Sequence, residues 1–286
     1  MKAFAKIAAL AAFVAVAGCE KGFDPSSDDS AEGCKVVFRM DQFEMVPFSQ
    51  GGTLSRGTAK AEEFCTRINL AVYNADGKVK SVNQAAGDTG FGTAEVTLPP
   101  GEYRVAVVAH SGAGNATMTT PEKVTFPSNK VTDTFYFYGG IDVKADAVHD
   151  IGLKRAVAMF RMEAKDGVPA NVSQMEFKYT GGSSTLDATT GLGCVNSRQT
   201  ETRAAGSGTF DIYTFPHAAE GKLKITATAK DAAGAALHER VFEDVPVKTG
   251  QITLYEGDFF KQAGSSSPSR ISFTADTAWT LYRQAY

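Results

Sequence analysis

Residues 67–82 read RINLAVYNADGKVKSV, and the pattern of this stretch is repeated along most of the chain. Apolar and polar residues alternate on both sides of Asp76–Gly77, a pair that favours the tight turn of a β-hairpin. Similar short alternating segments, separated by turn residues, continue from Cys34 to Phe260. None of them shows the sustained 3.6-residue periodicity of an amphipathic helix. The sequence therefore predicts an all-β protein built as a sandwich.

A second unit of strand, turn and strand is predicted at residues 94–111, AEVTLPPGEYRVAVVAHS. Pro99, Pro100 and Gly101 separate its two alternating segments, so we predict a second hairpin here. The same kind of unit returns as FDIYTFPHAAEGKLKITATAKDAAG at residues 210–234. Its second segment alternates apolar residues with Lys and Thr, which predicts one buried and one solvent-facing side.

The two halves of the chain share further features in the same order. VTFPSNKVTDTFYFYGG at residues 124–140 is similar to VPVKTGQITLYEGDFF at residues 245–260. Both have an early Pro, a central Thr and a Tyr followed by Gly. We therefore predict two related β-sandwich domains in tandem, residues 34–148 and residues 149–262. A single large sandwich is the alternative.

The first 18 residues have the layout of a secretory signal peptide, with Lys2 and Lys6 before a short apolar run. That run is shorter than the roughly 20 residues that a membrane-spanning helix needs. Val16-Ala17-Gly18-Cys19 resembles a bacterial lipobox, so we predict cleavage before Cys19 and attachment of diacylglyceryl and acyl chains such as palmitate to it. Two or more chains anchor a protein stably. Residues 19–33 are then a lipidated flexible tether, and an ordinary signal peptide is the alternative.

Charge and cysteine content narrow the class of protein. Cleavage removes two lysines from a net charge of −3, which leaves −5. Such a chain has no excess of basic residues for binding nucleic acid. Beyond Cys19, the cysteines are Cys34, Cys65 and Cys194, and they lack the spacing of a metal site. We expect buried free thiols, with a Cys34–Cys65 disulfide as the alternative.

The sequence contains no motif that predicts catalysis. The four histidines lie in separate segments, without a second metal ligand at a suitable spacing. His110–Ser111 is outside any Gly-x-Ser-x-Gly motif. GGSSTLDATTG at residues 181–191 lacks the Lys and the following helix of a phosphate-binding loop. We therefore expect no enzyme activity, no catalytic or metal-binding residue and no cofactor.

A series of motifs points to one family. In chain order they include FCTRINLAVYNADGKV, LPPGEYRVAVVAHSGAGNATMTTPEKVTF, TDTFYFYGGI, LKRAVAMFRMEA and VPVKTGQITLYEGDFF. Together they resemble the FimB-type fimbrial anchor and accessory family, part of the fimbrillin superfamily that builds type V pili in Bacteroidales. The resemblance implies two transthyretin-like β-sandwich domains. It also implies a role in anchoring or assembling a fimbrium at the outer membrane and cell surface, with other fimbrial subunits as partners.

Two classes of function remain open at this point. The first is a structural fimbrial subunit held in the outer membrane through Cys19. The second is a surface lipoprotein that binds a ligand or a glycan. Carbohydrate sites usually include exposed aromatic side chains, and the only tryptophan, Trp279, lies in the C-terminal tail. The sequence thus favours the structural subunit and leaves open whether it lies at the base, the shaft or the tip.

Two segments are predicted to take part in assembly. Arg56, within GGTLSRGTAK at residues 51–60, resembles the site that an Arg-specific protease cleaves in shaft subunits, and a plain surface loop is the alternative. Residues 263–286 contain a Gly/Ser linker followed by alternating apolar residues, which predicts a donor strand. The alternative is a last strand of the second domain itself. The side chains predicted to fill pockets in a partner are Ile271, Phe273, Trp279 and Leu281.

Overall fold

Alternating segments form β-strands throughout the part of the chain that is described. The computed structural model describes residues 33–44, 60–206, 208–261 and 280–285, and no α-helix occurs among them. The predicted all-β class is confirmed. The strands in chain order are β1 Cys34–Glu44, β2 Arg67–Asn74, β3 Gly77–Ala85, β4 Thr93–Leu98, β5 Gly101–His110, β6 Thr117–Thr120, β7 Lys123–Thr125, β8 Thr134–Val143, β9 Ala147–Arg155, β10 Ala158–Ala164, β11 Gln174–Thr180, β12 Thr185–Asp187, β13 Leu192–Gly193, β14 Gln199–Ala204, β15 Thr209–Thr214, β16 Glu220–Lys230, β17 Ala236–Lys248, β18 Gln251–Gly257 and β19 Thr280–Ala285.

β2 and β3 form the hairpin that Asp76–Gly77 predicts. The two strands pair antiparallel along their whole length, ending at Asn74 opposite Gly77. Gly77 has a φ of +126°, a backbone conformation that residues with a side chain rarely adopt. The N–H of Asp76 donates a hydrogen bond of 2.9 Å to Oδ1 of Asn74. The hairpin prediction is confirmed.

Seven strands of the first half surround one hydrophobic core. Their order in the sheet is β3-β2-β5-β8-β9-β1-β4. β8 and β9 pair at only two positions, Phe135 with Arg155 and Tyr136 with Lys154. Buried residues from both sides of this junction pack against each other, so the sheet folds over there and forms two layers. They include Val36, Phe38, Leu70, Val107 and Leu153.

The predicted hairpin at Pro99–Pro100 is wrong. β4 pairs with β1, whereas β5 pairs with β2 and β8, so the connection crosses from one layer to the other. The physical reason lies in the two loop residues. A two-residue hairpin needs a positive φ at its first central residue. The proline ring locks φ near −65°, which makes that turn impossible here.

The second half repeats the strand order of the first. Its sheets have the orders β14-β11-β16-β17 and β15-β10-β18-β19. β10 pairs in parallel with β18, as β1 does with β9. β15 and β16 lie in different sheets, as β4 and β5 lie in different layers. The internal similarity of the sequence therefore has a counterpart in the topology. The core of this half includes Phe160, Phe177, Phe210, Ile225 and Val245.

A further core contains residues of both halves. Ala106 and Val108 of β5 belong to it together with Ile252 and Leu254 of β18. A small sheet of order β13-β12-β7-β6 also combines strands of both halves, and the described residues from Gly33 onward form one compact unit. The predicted boundary at residues 148–149 falls inside β9, and the division into two domains stays a prediction.

A buried polar network links β2, β3 and β5. His110 is fully buried, and its Nε2 lies 3.0 Å from Oδ1 of Asn69. The N–H of Gly112 donates to Nδ1 of His110, so the ring proton belongs on Nε2. Oδ1 of Asn69 also accepts from the N–H of Ala116, and its Nδ2 donates to Oδ1 of Asn83. The network therefore holds His110 in its neutral form.

This network predicts a loss of stability in mild acid. Burial lowers the pKa of His110 from 6.5 to about 4. The neutral ring is favoured in the folded state, so its contribution is complete above pH 6.5 and is lost as the pH falls toward 4. We expect the free energy of unfolding to fall by about 1.4 kcal/mol per pH unit in that window, roughly 3 kcal/mol in total. Urea unfolding between pH 7 and pH 4 measures this slope.

His110→Gln removes the titrating group. In this variant the free energy of unfolding should depend less steeply on pH than in the unsubstituted protein. His217→Gln is the matched control because His217 is exposed, and it should leave the slope unchanged. Equal slopes for His110→Gln and the unsubstituted protein would show that another group causes the acid sensitivity.

Candidate strand-exchange site

β18 carries a row of consecutive buried residues. Ile252 and Leu254 point into the core shared by the two halves, whereas Tyr255 belongs to the core of the second half. The backbone groups along each edge of such a strand need hydrogen-bond partners, which come from a neighbouring strand or, where the edge is open, from water. β10 supplies one edge, in parallel, from Met159 opposite Ile252 onward.

β19 supplies the pairing on the other edge of β18. The two strands run parallel, from Gln251 opposite Thr280 to Glu256 opposite Ala285. Among the described strands β19 pairs with β18 alone, so it is an edge strand. Parallel neighbours need a long connection, and in the sequence residues 258–279 separate β18 from β19. An edge strand on a long connection is the kind of element that can be exchanged between chains.

A cleft of 460 Å³ is lined by residues of β16, β17 and β18. Gln251 and Thr253 of β18 line it, and the backbones of these residues pair with Thr280 and Tyr282 of β19. The hydroxyl of Thr253 donates to the carbonyl oxygen of Pro246, which connects β18 to β17. The remaining lining residues of the cleft are Glu220, Gly221, Lys222, Val247 and Lys248.

Most residues predicted to act in anchoring or assembly lie outside the described residues. These are Cys19, Arg56, Ile271, Phe273 and Trp279. Leu281 lies in β19, where its backbone pairs opposite Ile252. The structure thus pairs residues 280–285 with the protein's own second half, which is the alternative that the sequence left open. The alternation along the tail indicated a strand, but no sequence signal identified β18 as its neighbour. Donation of the strand stays a prediction.

No group of three or more His, Cys, Asp or Glu side chains in the described ranges could hold a metal ion. No helix among the described residues is long and apolar enough to span a membrane.

Cys34, Cys65 and Cys194 are free thiols, so the alternative Cys34–Cys65 disulfide does not form in this structure. Cys65 is buried as expected, and burial raises the pKa of its thiol to about 12. The expectation of burial is wrong for Cys194, which is exposed, and Cys34 is only partly buried. Cys194 follows the two-residue strand β13 in a surface connection, and a loop position next to so short a strand has no periodicity from which burial could be predicted.

Several solved structures align with this chain at low sequence identity. A candidate adhesin from Bacteroides ovatus ATCC 8483 has a TM-score of 0.48 and 14% identity, covering 74% of this chain and 82% of the other. A candidate polysaccharide binding protein from Bacteroides thetaiotaomicron VPI-5482 has a TM-score of 0.46 and 15% identity, covering 72% and 79%. The fimbrial anchor protein Mfa2 from Porphyromonas gingivalis has a TM-score of 0.37 and 12% identity, covering 73% and 82%.

Sequence comparison identifies the family. No curated protein matches the chain. The profile described as "Fimbrillin-A associated anchor proteins Mfa1 and Mfa2" matches residues 28–258, which is well over half of the 286 residues. This match agrees with the order of motifs that resembles fimbrial anchor and accessory subunits. The chain belongs to the family of fimbrillin-A associated anchor proteins.

Proposed function

We propose that this protein is an outer-membrane lipoprotein that anchors a fimbrium, or assists its assembly, at the cell surface. The family match over residues 28–258 is the observation that carries the proposal. The lipobox-like sequence Val16–Cys19 supports attachment through lipid, since two or more acyl chains hold a protein stably in a membrane. The role is structural: the partners are the outer membrane and other fimbrial subunits, and neither a cofactor nor a catalytic residue is required.

The proposed means of assembly is β-strand complementation through β19. This strand is bonded to β18 alone among the described strands, and residues 258–279 give it a long connection. In strand complementation, backbone hydrogen bonds supply affinity and alternate side chains fill pockets of the partner. The same backbone groups of β19 that now pair with β18 would then pair with the next subunit.

Cys19→Ala is expected to release the protein from the membrane without unfolding it. The substitution removes the thiol that carries the lipid, and it lies before the first described strand, which begins at Cys34. After cell fractionation, the variant should move from the detergent phase to the aqueous phase. Cys34→Ala removes a thiol within β1 and should leave the partitioning unchanged. A Cys19→Ala protein that still enters the detergent phase would contradict the lipid anchor.

The bond between Arg56 and Gly57 is expected to stay intact in the mature protein. Cleavage there would separate the fold from the lipid on Cys19, which a permanent anchor cannot tolerate. Mass spectrometry of the N-terminus of protein isolated from cells should find a lipidated Cys19 in both the unsubstituted protein and Arg56→Ala. A mature chain that begins at Gly57 would instead assign the protein to the shaft or the tip.

A further inference from the structure

A second cleft opens where β8 and β9 separate. The two strands pair only at Phe135–Arg155 and Tyr136–Lys154. β8 continues from this point to Val143, and β9 begins at Ala147. The two strands form no further backbone pairs with each other. A cleft of 410 Å³ lies at this separation. It is remote in sequence from the β18–β19 edge and has no part in the proposed anchoring.

Two tyrosines form one side of this cleft. Tyr136 and Tyr138 are successive residues on the same face of β8, and both are half-buried. The hydroxyl of Tyr136 donates to the carbonyl oxygen of Thr190 at 3.3 Å. Gly191 lies so close that a side chain at that position would collide with the Tyr136 ring. The ring of Tyr136 is therefore held in place by the turn at residues 187–191.

Polar side chains of β1 and β9 line another part of the cleft. Gln42 of β1 lies opposite Gly152 of β9 in the sheet, and Lys154 follows on the same face of β9. Within the described residues, the amide of Gln42, the hydroxyl of Tyr138 and the ammonium group of Lys154 make no hydrogen bond or ion pair. Asp150 also lines the cleft, and its Oδ1 lies 3.9 Å from Nη1 of Arg39. Gln42, Tyr138 and Lys154 thus present donors and acceptors to a ligand, and the carboxylate of Asp150, which also contacts Arg39, adds further acceptors.

We propose that this cleft binds a pyranose ring of a saccharide. A sugar ring has apolar C–H faces, which pack on aromatic rings, and hydroxyl groups around its edge, which need donors and acceptors. Tyr136 and Tyr138 supply the rings. The amide of Gln42 can donate and accept at the same time, while Lys154 donates and Asp150 accepts. A concave site with a few convergent polar groups is the usual form of a small-molecule site.

Gly152 makes the proposal testable without removing any ligand contact. It lies between Asp150 and Lys154 on β9, and its φ is not positive, so its backbone conformation is one that residues with a side chain also adopt. Gly152→Val places a side chain in the cleft and should abolish binding. Tyr138→Ala, which removes one half-exposed ring, should weaken binding about tenfold, the ratio that corresponds to about 1.4 kcal/mol. Val148→Ala changes an exposed residue of the same strand outside the cleft and should change nothing.

The experiment uses the full-length protein in detergent on an array of pyranose saccharides that includes maltohexaose, chitohexaose and hyaluronan oligosaccharides. The strongest binder is then titrated against the protein and the three variants, with thermal melting as a check of folding. We expect at least one saccharide to bind and the variants to rank as described. Absence of any binder, or binding that Gly152→Val leaves intact, would overturn the proposal. So would a synthetic peptide of residues 271–285 that binds in the cleft when no saccharide does, because the cleft would then be a strand-docking surface.

Discussion

Deletion of residues 264–286 is expected to abolish co-purification of the protein with the fimbrial shaft while leaving its thermal stability nearly unchanged. The deletion removes β19 together with the predicted pocket-filling residues of the tail. β18 stays paired with β10, and water can satisfy the backbone groups on the edge that β19 leaves. We expect the melting temperature to fall by no more than about 4 °C, which corresponds to about 1 kcal/mol in a domain of this size.

A linker variant separates the effect of the strand from that of the connection. Scrambling residues 264–269 keeps residues 271–286 intact and should preserve co-purification. Trp279→Ala, within the otherwise complete tail, should reduce it. A fall in melting temperature of more than about 10 °C on deletion would mean a loss of several kcal/mol. That result would show that β19 is a permanent part of the second half of its own chain. It would contradict donation of β19 to another subunit.

Asp133→Ala is expected to lower the free energy of unfolding by about 3–5 kcal/mol, the cost of removing one partner from a buried ion pair. Nε and Nη2 of Arg155 each donate a hydrogen bond of 2.8 Å to the carboxylate of Asp133. The Arg155 side chain is only 6% exposed, and its guanidinium lies 4.7 Å from the centre of the Phe135 ring. The pair joins the end of β9 to the segment before β8, at the point where the two layers meet.

Asp211→Ala is the matched control for this prediction. Arg161 and Asp211 form the same two-bond arrangement, but their side chains are 30% and 28% exposed. Water can solvate the guanidinium that remains, so we expect a loss of about 1 kcal/mol. Urea unfolding at pH 7 compares the two variants. Equal losses would show that burial does not determine the cost of breaking these pairs.

Features that depend on neighbouring residues could be predicted from the sequence. The β2–β3 hairpin follows from Asp76–Gly77, because only a residue such as glycine accepts the φ that this turn requires. The alternation in β16 correctly assigned Leu223 and Ile225 to the interior and Lys224 to the surface. Thr228 is the exception, since it is buried with its hydroxyl donating to Oε2 of Glu239. The order of motifs was sufficient to identify the family.

Features that depend on distant residues could not be predicted in this way. All residues of β5 from Val105 to His110 are buried, because one face meets the core of the first half and the other meets the core shared by both halves. The alternation of residues along β5 contains no sign of the second core. Likewise, Gln42, Tyr138 and Lys154 come from three different strands and lie together only because the sheet folds over at the β8–β9 junction.

The sequence by itself determined the all-β class, the local turns, the family and a strand in the C-terminal tail. The tertiary structure decided that β4 and β5 lie in different layers, that β19 runs parallel to β18, and that a cleft opens between β8 and β9. The reason is physical. Alternation with a period of two residues shows which side chains share a face of a strand. The neighbour of each strand is chosen by which distant apolar faces exclude water together, and that choice involves the whole chain at once.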